Sequence, residues 1–359
     1  MKCLVEALLA RDPEHEYLLI MLPGTEEKIA VSGKHAEKLS SRLKYYSVRE
    51  QLQLPGILRA NRIDLLHSPH FMLPLLRACP SIVTIHDVIY LACKEDLPSC
   101  VGRLYYRAMM SASVRVADRI ITDSNFSKQD IMRRLNVVSD KIDVIYPAVD
   151  AGFQRVTDGG RLQDVRSRYG IRGEYVLYTG IRKPRKNHAG LLRAFRCFLS
   201  QGGTAQLVLA GPMNGTEAQL RRLAEDLGVA SQVIFTGFVE ESDLAALYSA
   251  ARLYACPSFY EGFGFTVLEA MACGVPVVCS AETSLPEVAG DAVLYADPRS
   301  PEQFGRALSK AWEDHELRMS MVQKGRDNVL RFSWEQAADQ TLMVYHQVLG
   351  IPDGKAIYA

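Results

Sequence analysis

The sequence predicts an α/β protein of two Rossmann-like domains, each built on a parallel sheet. Three observations lead there. Short β-rich runs alternate with helix-period segments along most of the chain, and the alternation falls into two series separated by a looser stretch after Pro147. The 359 residues exceed what one compact core holds and suit two domains of roughly 150–180 residues each. Apolar residues make up 48% and charged residues 23%, enough to bury real cores, which excludes a disordered or fibrous chain.

In the first series the strand candidates are 17–22, 43–48, 63–67, 82–86, 119–123 and 142–146, with helices at 49–60, 101–117 and 125–135. Ser124 is placed to cap the last of these. Residues 3–10 already read as a helix ahead of Asp12-Pro13. A Rossmann-like half opens on a strand and a Gly-rich turn, so the expectation is a truncated start or a reduced sheet, its edge rearranged or covered by a partner chain. Asp158-Gly159-Gly160 and the stretch from Gly170 to Gly173 predict a linker around a short helix. The second series has strands at 175–179, 206–210, 233–236, 253–257, 276–279 and 293–295, and the chain is helical from Pro301 onward. The expected domains are 1–155 and 170–331, with 332–359 a terminal helix crossing back to the first.

Forty-two Lys and Arg nearly cancel forty-one Asp and Glu, leaving +1. That excludes binding driven by a large net charge, and no aromatic-plus-basic motif for nucleic acid is present. No apolar run approaches the roughly 20 residues of a membrane span, and no secretory signal opens the chain. The eight cysteines lack Cys-x-x-Cys spacing, so they read as reduced and structural, without a zinc site. A cytoplasmic protein is expected. Residues 101–119 carry four arginines beside Tyr105, Tyr106, Met109 and Met110, and could meet anionic lipid at the inner membrane face or turn the same apolar residues to a core.

Chemistry concentrates in residues 259–278, FYEGFGFTVLEAMACGVPVV. Gly262 and Gly264 precede an apolar helix-forming run that stops at Gly274. Glycines before a helix let backbone N–H groups converge on an anion, and the helix N-terminus adds partial positive charge. Glu261 and Glu269 flank that site. A carboxylate accepts but does not donate, so the pair suits a ligand with hydroxyls next to a diphosphate. Alone, two such glutamates also fit an ordinary strand–loop–helix; the glycines and the Pro-Val-Val run favour the ligand.

A second cluster follows the strand-end Gly180. Arg182, Lys183, Arg185 and Lys186 crowd the turn before a helix that starts near Asn187. They repel one another and the helix N-terminus, and a diphosphate would neutralise them; a solvated basic loop is the alternative. In the first series His86-Asp87 and the HSPH of 67–70 both follow strand candidates, which points them to one cleft and favours His86 touching a ligand over a structural core histidine.

Together these residues resemble the retaining glycosyltransferases of family 4, whose GT-B fold sets two Rossmann-like domains across a cleft. Glu261 and Glu269 match that family's Glu-x7-Glu signature within its Gly-Phe-Gly and Glu-Ala-Met-Ala-x-Gly-x-Pro-Val-Val surroundings. The Pro-Arg-Lys-Asn of 184–187, Ile-His-Asp of 85–87, Leu-Pro-Glu-Val-Ala-Gly of 285–290 and Phe332-Ser333-Trp334 are also similar. The resemblance implies that Glu269 accepts from the nucleotide ribose and that Glu261 lies by the donor hexose and its phosphates. Gly264, Phe265, Thr266 and Val267, after Gly262 and Phe263, would present N–H groups. Lys186 corresponds to the diphosphate lysine, His86 to a histidine near the sugar, and Phe238-Val239 to the backbone that meets the base. The family's arginine directly follows the strand-end Gly180; here Ile181 stands there and Arg182 comes next.

The function so implied is metal-independent, cofactor-free transfer of a hexose, with mannose from GDP-mannose ahead of a UDP-sugar, to a sugar or lipid-linked acceptor. No Asp-x-Asp motif is present. The alternatives are a non-catalytic nucleotide-sugar binder or partner subunit, motivated by the missing N-terminal strand and loop, and a GT-B sugar-nucleotide epimerase. A homo-oligomer is open.

Overall fold

The computed structural model describes residues 1–25, 27, 29, 35–43, 47–97, 99–212 and 215–352. The chain divides into two compact units, one of residues 1–92, 97–148 and 332–359, the other of residues 93–96 and 149–331.

The first unit opens on α1 (Lys2–Arg11), which buries Leu4, Leu8 and Leu9 on one face. β1 (Tyr17–Met21) and β2 (Ala36–Ser40) form a parallel pair. There follow α2 (Val48–Ala60), β3 (Leu66–Ser68), β4 (Ser81–Thr84), α3 (Ile89–Ala92), α4 (Cys100–Val116), β5 (Arg119–Thr122), α5 (Asn125–Leu135) and β6 (Ile142–Val144). β3 to β6 make a parallel sheet in chain order. Ile82, Val83 and Ile120 have no exposed surface, as expected of strands covered on both faces.

The strand expected at 43–48 is not formed as such. Leu43 is outside any strand, and residues 44–46 lie outside the described residues. The Ser47 side chain accepts from the Glu50 N–H and starts α2. Ser-x-x-Glu is a capping pattern, and it draws Val48 into the helix. The strand that does form, β2, is AEKLS, too polar for an apolar pattern to show.

In the second unit the short helix expected within the linker forms as α6 (Gly159–Arg168), starting at the glycines expected to precede it. The Asp158 carboxylate accepts from the N–H groups of Gly160 and Arg161, so two glycines that read as a break become the first helical turn. Then come β7 (Tyr175–Thr179), α7 (His188–Ser200), β8 (Gln206–Ala210), α8 (Glu217–Asp226), β9 (Val233–Gly237), α9 (Glu241–Ser249), β10 (Leu253–Cys256), α10 (Phe265–Ala272), β11 (Val277–Ser280), α11 (Leu285–Ala289), β12 (Leu294–Ala296), α12 (Pro301–Glu313) and α13 (His315–Val329). The six strands form one parallel sheet in the order β12-β11-β10-β7-β8-β9. Phe195 and Phe198 of α7 and Phe304, Leu308 and Trp312 of α12 share its core.

The last helix, α14 (Trp334–Leu349), is capped by Ser333 and belongs to the first unit. Its Ala337, Ala338 and Val344 pack with Leu4 and Leu8 of α1 and with Ile82, Ile121 and Ile145. No described helix is long and apolar enough to cross a membrane.

Candidate active site

The site is built at the carboxyl ends of β7, β9 and β10, where ligands bind in open parallel sheets. β10 leads into the loop 257–264, and Gly264 at φ +114° turns that loop into α10. An L-residue there would be strained, and a Cβ would lie 2.8 Å from Leu285 Cδ2. The Glu261 N–H donates to Thr283 Oγ1 at 3.0 Å, and Ser284 Oγ donates to the carbonyls of Glu261 and Phe263 at 2.9 and 2.8 Å. The loop carrying Glu261, Gly262 and Phe263 is therefore fixed before any ligand arrives.

The turn after β7 is fixed against the same loop. Residues Pro184–Lys186 form a 3-10 turn, and Asn187 in the left-handed region caps α7, its side chain accepting from the Gly190 N–H. Asn187 Nδ2 donates to the carbonyls of Pro257 and Pro298 at 3.2 and 2.7 Å, and the Phe259 N–H donates to the Arg185 carbonyl at 2.7 Å. These bonds bring Lys186 to Glu261: Nζ lies 2.6 and 2.9 Å from the two carboxylate oxygens, and both residues are buried. Arg185 joins them, its Nη1 3.5 Å from Glu261 Oε2 and its Nε 2.6 Å from Asp96 Oδ2.

Beside this cluster stands the N-terminus of α10. The first N–H groups of a helix have no carbonyl a turn earlier to meet them, and they carry the positive end of its dipole. Glu269 sits one turn further along α10, where its Oε2 accepts from the Tyr248 hydroxyl at 2.8 Å. Burial pushes the Glu269 carboxyl up from its ordinary value, while the Tyr248 hydrogen bond and the Lys186 charge push it back. Two carboxylates, two cations and an open helix end thus line one patch of the second unit.

The family model "Glycosyltransferase Family 4" matches residues 3–153, and "Glycosyl transferases group 1" matches residues 166–328. The O-antigen chain mannosyltransferase B of Escherichia coli is 36% identical over 281 residues, 78% of this chain and 73% of that protein. The chain belongs to glycosyltransferase family 4. The serotype-specific mannosyltransferase WbdA of Escherichia coli is 30% identical over 75% of the chain, which spans only 34% of WbdA. Among solved structures, Anabaena HepE in complex with UDP and glucose superposes with a TM-score of 0.71 at 19% identity, covering 92% of this chain and 99% of that one. The protein is a GT-B glycosyltransferase, as its motifs imply.

Within this glycosyltransferase two of the expected site residues already have partners in the structure. Arg182 is 3% exposed, with Nη1 3.0 Å from Glu217 Oε2 and its guanidinium 5.5 Å from the Phe235 ring. It pairs with Glu217 of α8; the arginine at Glu261 is Arg185. The Val267 N–H already donates to the Gly264 carbonyl at 3.0 Å, so the amides open to an anion end at Thr266.

The other residues fall as follows. Gly180 ends β7 at φ +140°, its N–H bonded to the Ala210 carbonyl. Phe238 beyond β9 is 67% exposed while Val239 is buried, and Phe265 is half-exposed at the head of α10. In the first unit His86 follows β4, its Nδ1 2.9 Å from Asp123 Oδ2 beyond β5. Burial opposes its charge, but the Asp123 hydrogen bond and charge, with Asp87, outweigh it and hold the imidazole above its ordinary pKa. Sequence reasoning missed Asp96, Thr283, Ser284 and Tyr248, each remote in sequence from what it touches. None of the four lies within a motif named from the sequence, although Ser284 stands next to the Leu-Pro-Glu run. Among the described residues no group of three or more His, Cys, Asp or Glu could hold a metal ion.

Proposed function

We propose that this glycosyltransferase transfers mannose, with retention, from GDP-mannose to a hydroxyl of a sugar or lipid-linked acceptor. The observation that carries the reading is the convergence of Lys186 and Arg185 on Glu261 beside the open end of α10, with Glu269 one turn on. The mannosyltransferase names of the two Escherichia coli relatives support the sugar.

Breaking the anomeric C–O bond builds positive character on the sugar and negative charge on the departing diphosphate. Arg185, Lys186 and the first amides of α10 stabilise that leaving charge, and this arrangement of fixed cations and dipoles needs no metal. Glu269 accepts from the ribose hydroxyls. The acceptor oxygen attacks the face the diphosphate leaves, and its proton passes to the departing phosphate oxygen, so no carboxylate acts as nucleophile. A diphosphate must compete with Glu261 for Lys186, so donor binding exchanges one buried ion pair for another.

Peripheral membrane contact at the cytoplasmic face belongs to the same reading, through the outward side of α4.

The test is calorimetry with GDP and UDP alongside turnover of labelled GDP-mannose and UDP-glucose. Glu269→Ala is expected to weaken nucleotide binding by about 1–3 kcal/mol. Lys186→Ala should cut transfer far more than it lowers the melting temperature. Affinities equal to wild type in both variants would overturn the site. Binding without transfer or hydrolysis would instead make the protein a nucleotide-sugar binder.

A further inference from the structure

Behind Glu269 lies a line of buried hydroxyls that the reaction itself does not use. Tyr248 on α9 has no exposed surface and donates to Glu269 Oε2 at 2.8 Å. The same hydroxyl lies 2.5 Å from Thr179 Oγ1 at the end of β7, which in turn lies 3.2 Å from the Tyr254 hydroxyl on β10. An ionised carboxylate accepts only, so with Tyr248 donating to Glu269 the Thr179 hydroxyl donates to Tyr248. The Tyr254 hydroxyl stands within reach of both Thr179 Oγ1 and the Thr179 carbonyl, at 3.2 and 3.5 Å. Phenylalanine at 248 would fill nearly the same volume, and buried hydroxyls cost stability unless each is satisfied. The polar line thus has a use beyond packing.

We propose that Tyr248 is a positioning residue for nucleotide recognition, its hydroxyl occupying Glu269 Oε2 so that the carboxyl stays ionised and offers Oε1 to the ribose hydroxyls. This rests on the reading of Glu269 as the ribose acceptor. Burial favours the neutral carboxyl, and a neutral carboxyl would donate into the line and reverse it. The titratable groups facing Glu269 are Tyr248 from α9, Tyr254 from β10, Lys186 from the 3-10 turn and Cys273 after its own helix. Burial pushes both tyrosines and the thiol upward, so they are neutral near pH 7, while Lys186 acts on Glu269 to lower its carboxyl. Without the Tyr248 hydroxyl, only that lysine opposes protonation.

The experiment measures GDP and UDP affinity by calorimetry from pH 5.5 to 8.5 for wild type, Tyr248→Phe, Thr179→Val and Glu269→Gln. Removing a hydrogen bond to the ionised form raises the carboxyl pKa, and each unit of rise costs about tenfold in ionised fraction on the acid side. Tyr248→Phe should therefore fall severalfold further below wild type in affinity as pH drops from 8.5 to 5.5, and lie nearest to it at pH 8.5. Glu269→Gln should be weak at every pH without that slope. A Tyr248→Phe profile parallel to wild type overturns the proposal, because loosened packing alone weakens binding equally at all pH. If Tyr248→Phe does not fold, Thr179→Val decides: its profile must bend the same way on the acid side, and a parallel one overturns the proposal. If Glu269→Gln binds like wild type, or wild type binds neither nucleotide, the ribose reading itself fails, which is a different result.

Discussion

Gly211 shows how tightly single residues set the carboxyl edge of the second unit's sheet. Its φ is +144°, and a Cβ there would lie 2.1 Å from the Gly180 carbonyl oxygen, so the ends of β7 and β8 meet backbone to backbone. No flexible side chain is available to yield. Gly211→Ala is expected to cost more than about 2 kcal/mol, read as a lower urea midpoint, and to weaken nucleotide binding by displacing Gly180. An alanine variant with wild-type midpoint and affinity would contradict this packing. At this scale the sequence names residue types better than partners. Four cations after Gly180 are plain to see, yet which guanidinium reaches Glu261 depends on Glu217 and Phe235, residues 35 and 53 positions beyond Arg182. Glu261 and Glu269 were legible because glycines and a helix surround them locally. Tyr248 was not, because its bond to Glu269 exists only once α9 packs beside α10.

Elements with end signals were readable and polar ones were not. α5 runs from Asn125 to Leu135 as its Ser124 cap predicts, whereas β2 has no apolar alternation and the Asp158 cap turned two glycines into helix. α4 poses a different question, because it buries one apolar face and shows another. Tyr106, Met110 and Val114 are buried, while Val101 and Leu104 are 79% and 71% exposed and Tyr105 is half-exposed. Positions 101, 104, 105 and 108 follow one another along the outward side of the helix. Arg103 and Arg107 flank them, and residues 100–116 contain no Asp or Glu. A basic helix with outward Val, Leu and Tyr suits an anionic lipid surface. Arg103→Glu with Arg107→Glu is expected to reduce co-sedimentation with phosphatidylglycerol vesicles severalfold and to leave soluble-acceptor turnover intact. Unchanged sedimentation removes the membrane reading.

Across the whole molecule, both units hold histidines in the neutral form. Burial pulls His67 and His70 of the first unit down to about 4, and His188 of the second, beside Arg182 and Lys186, to about 3. The unfolded chain protonates these imidazoles first, so the stability they represent is present above about pH 6.5 and is lost as pH falls below it. Each contributes up to about 2 kcal/mol of loss by pH 5. His86 runs the other way: its contribution is present in acid and fades as pH rises through its raised pKa, but its side chain is 48% exposed and solvent screens it. The urea midpoint should fall between pH 7 and 5, with neither unit spared. A flat midpoint would mean that these rings are not held uncharged. At this scale the two-series alternation carries the α/β architecture. It could not show which side chains the sheets would close over.

The bonds from Asn187 to Pro257 and from Phe259 to Arg185 have a practical corollary for engineering. The cationic turn and the glutamate loop are joined by a side-chain amide and a main-chain N–H, each donating to a main-chain carbonyl of the other segment, so neither is an independent module. Grafting a donor preference from a relative would require exchanging both segments as a matched pair, since a transplanted loop alone would inherit a seam cut for different stitching.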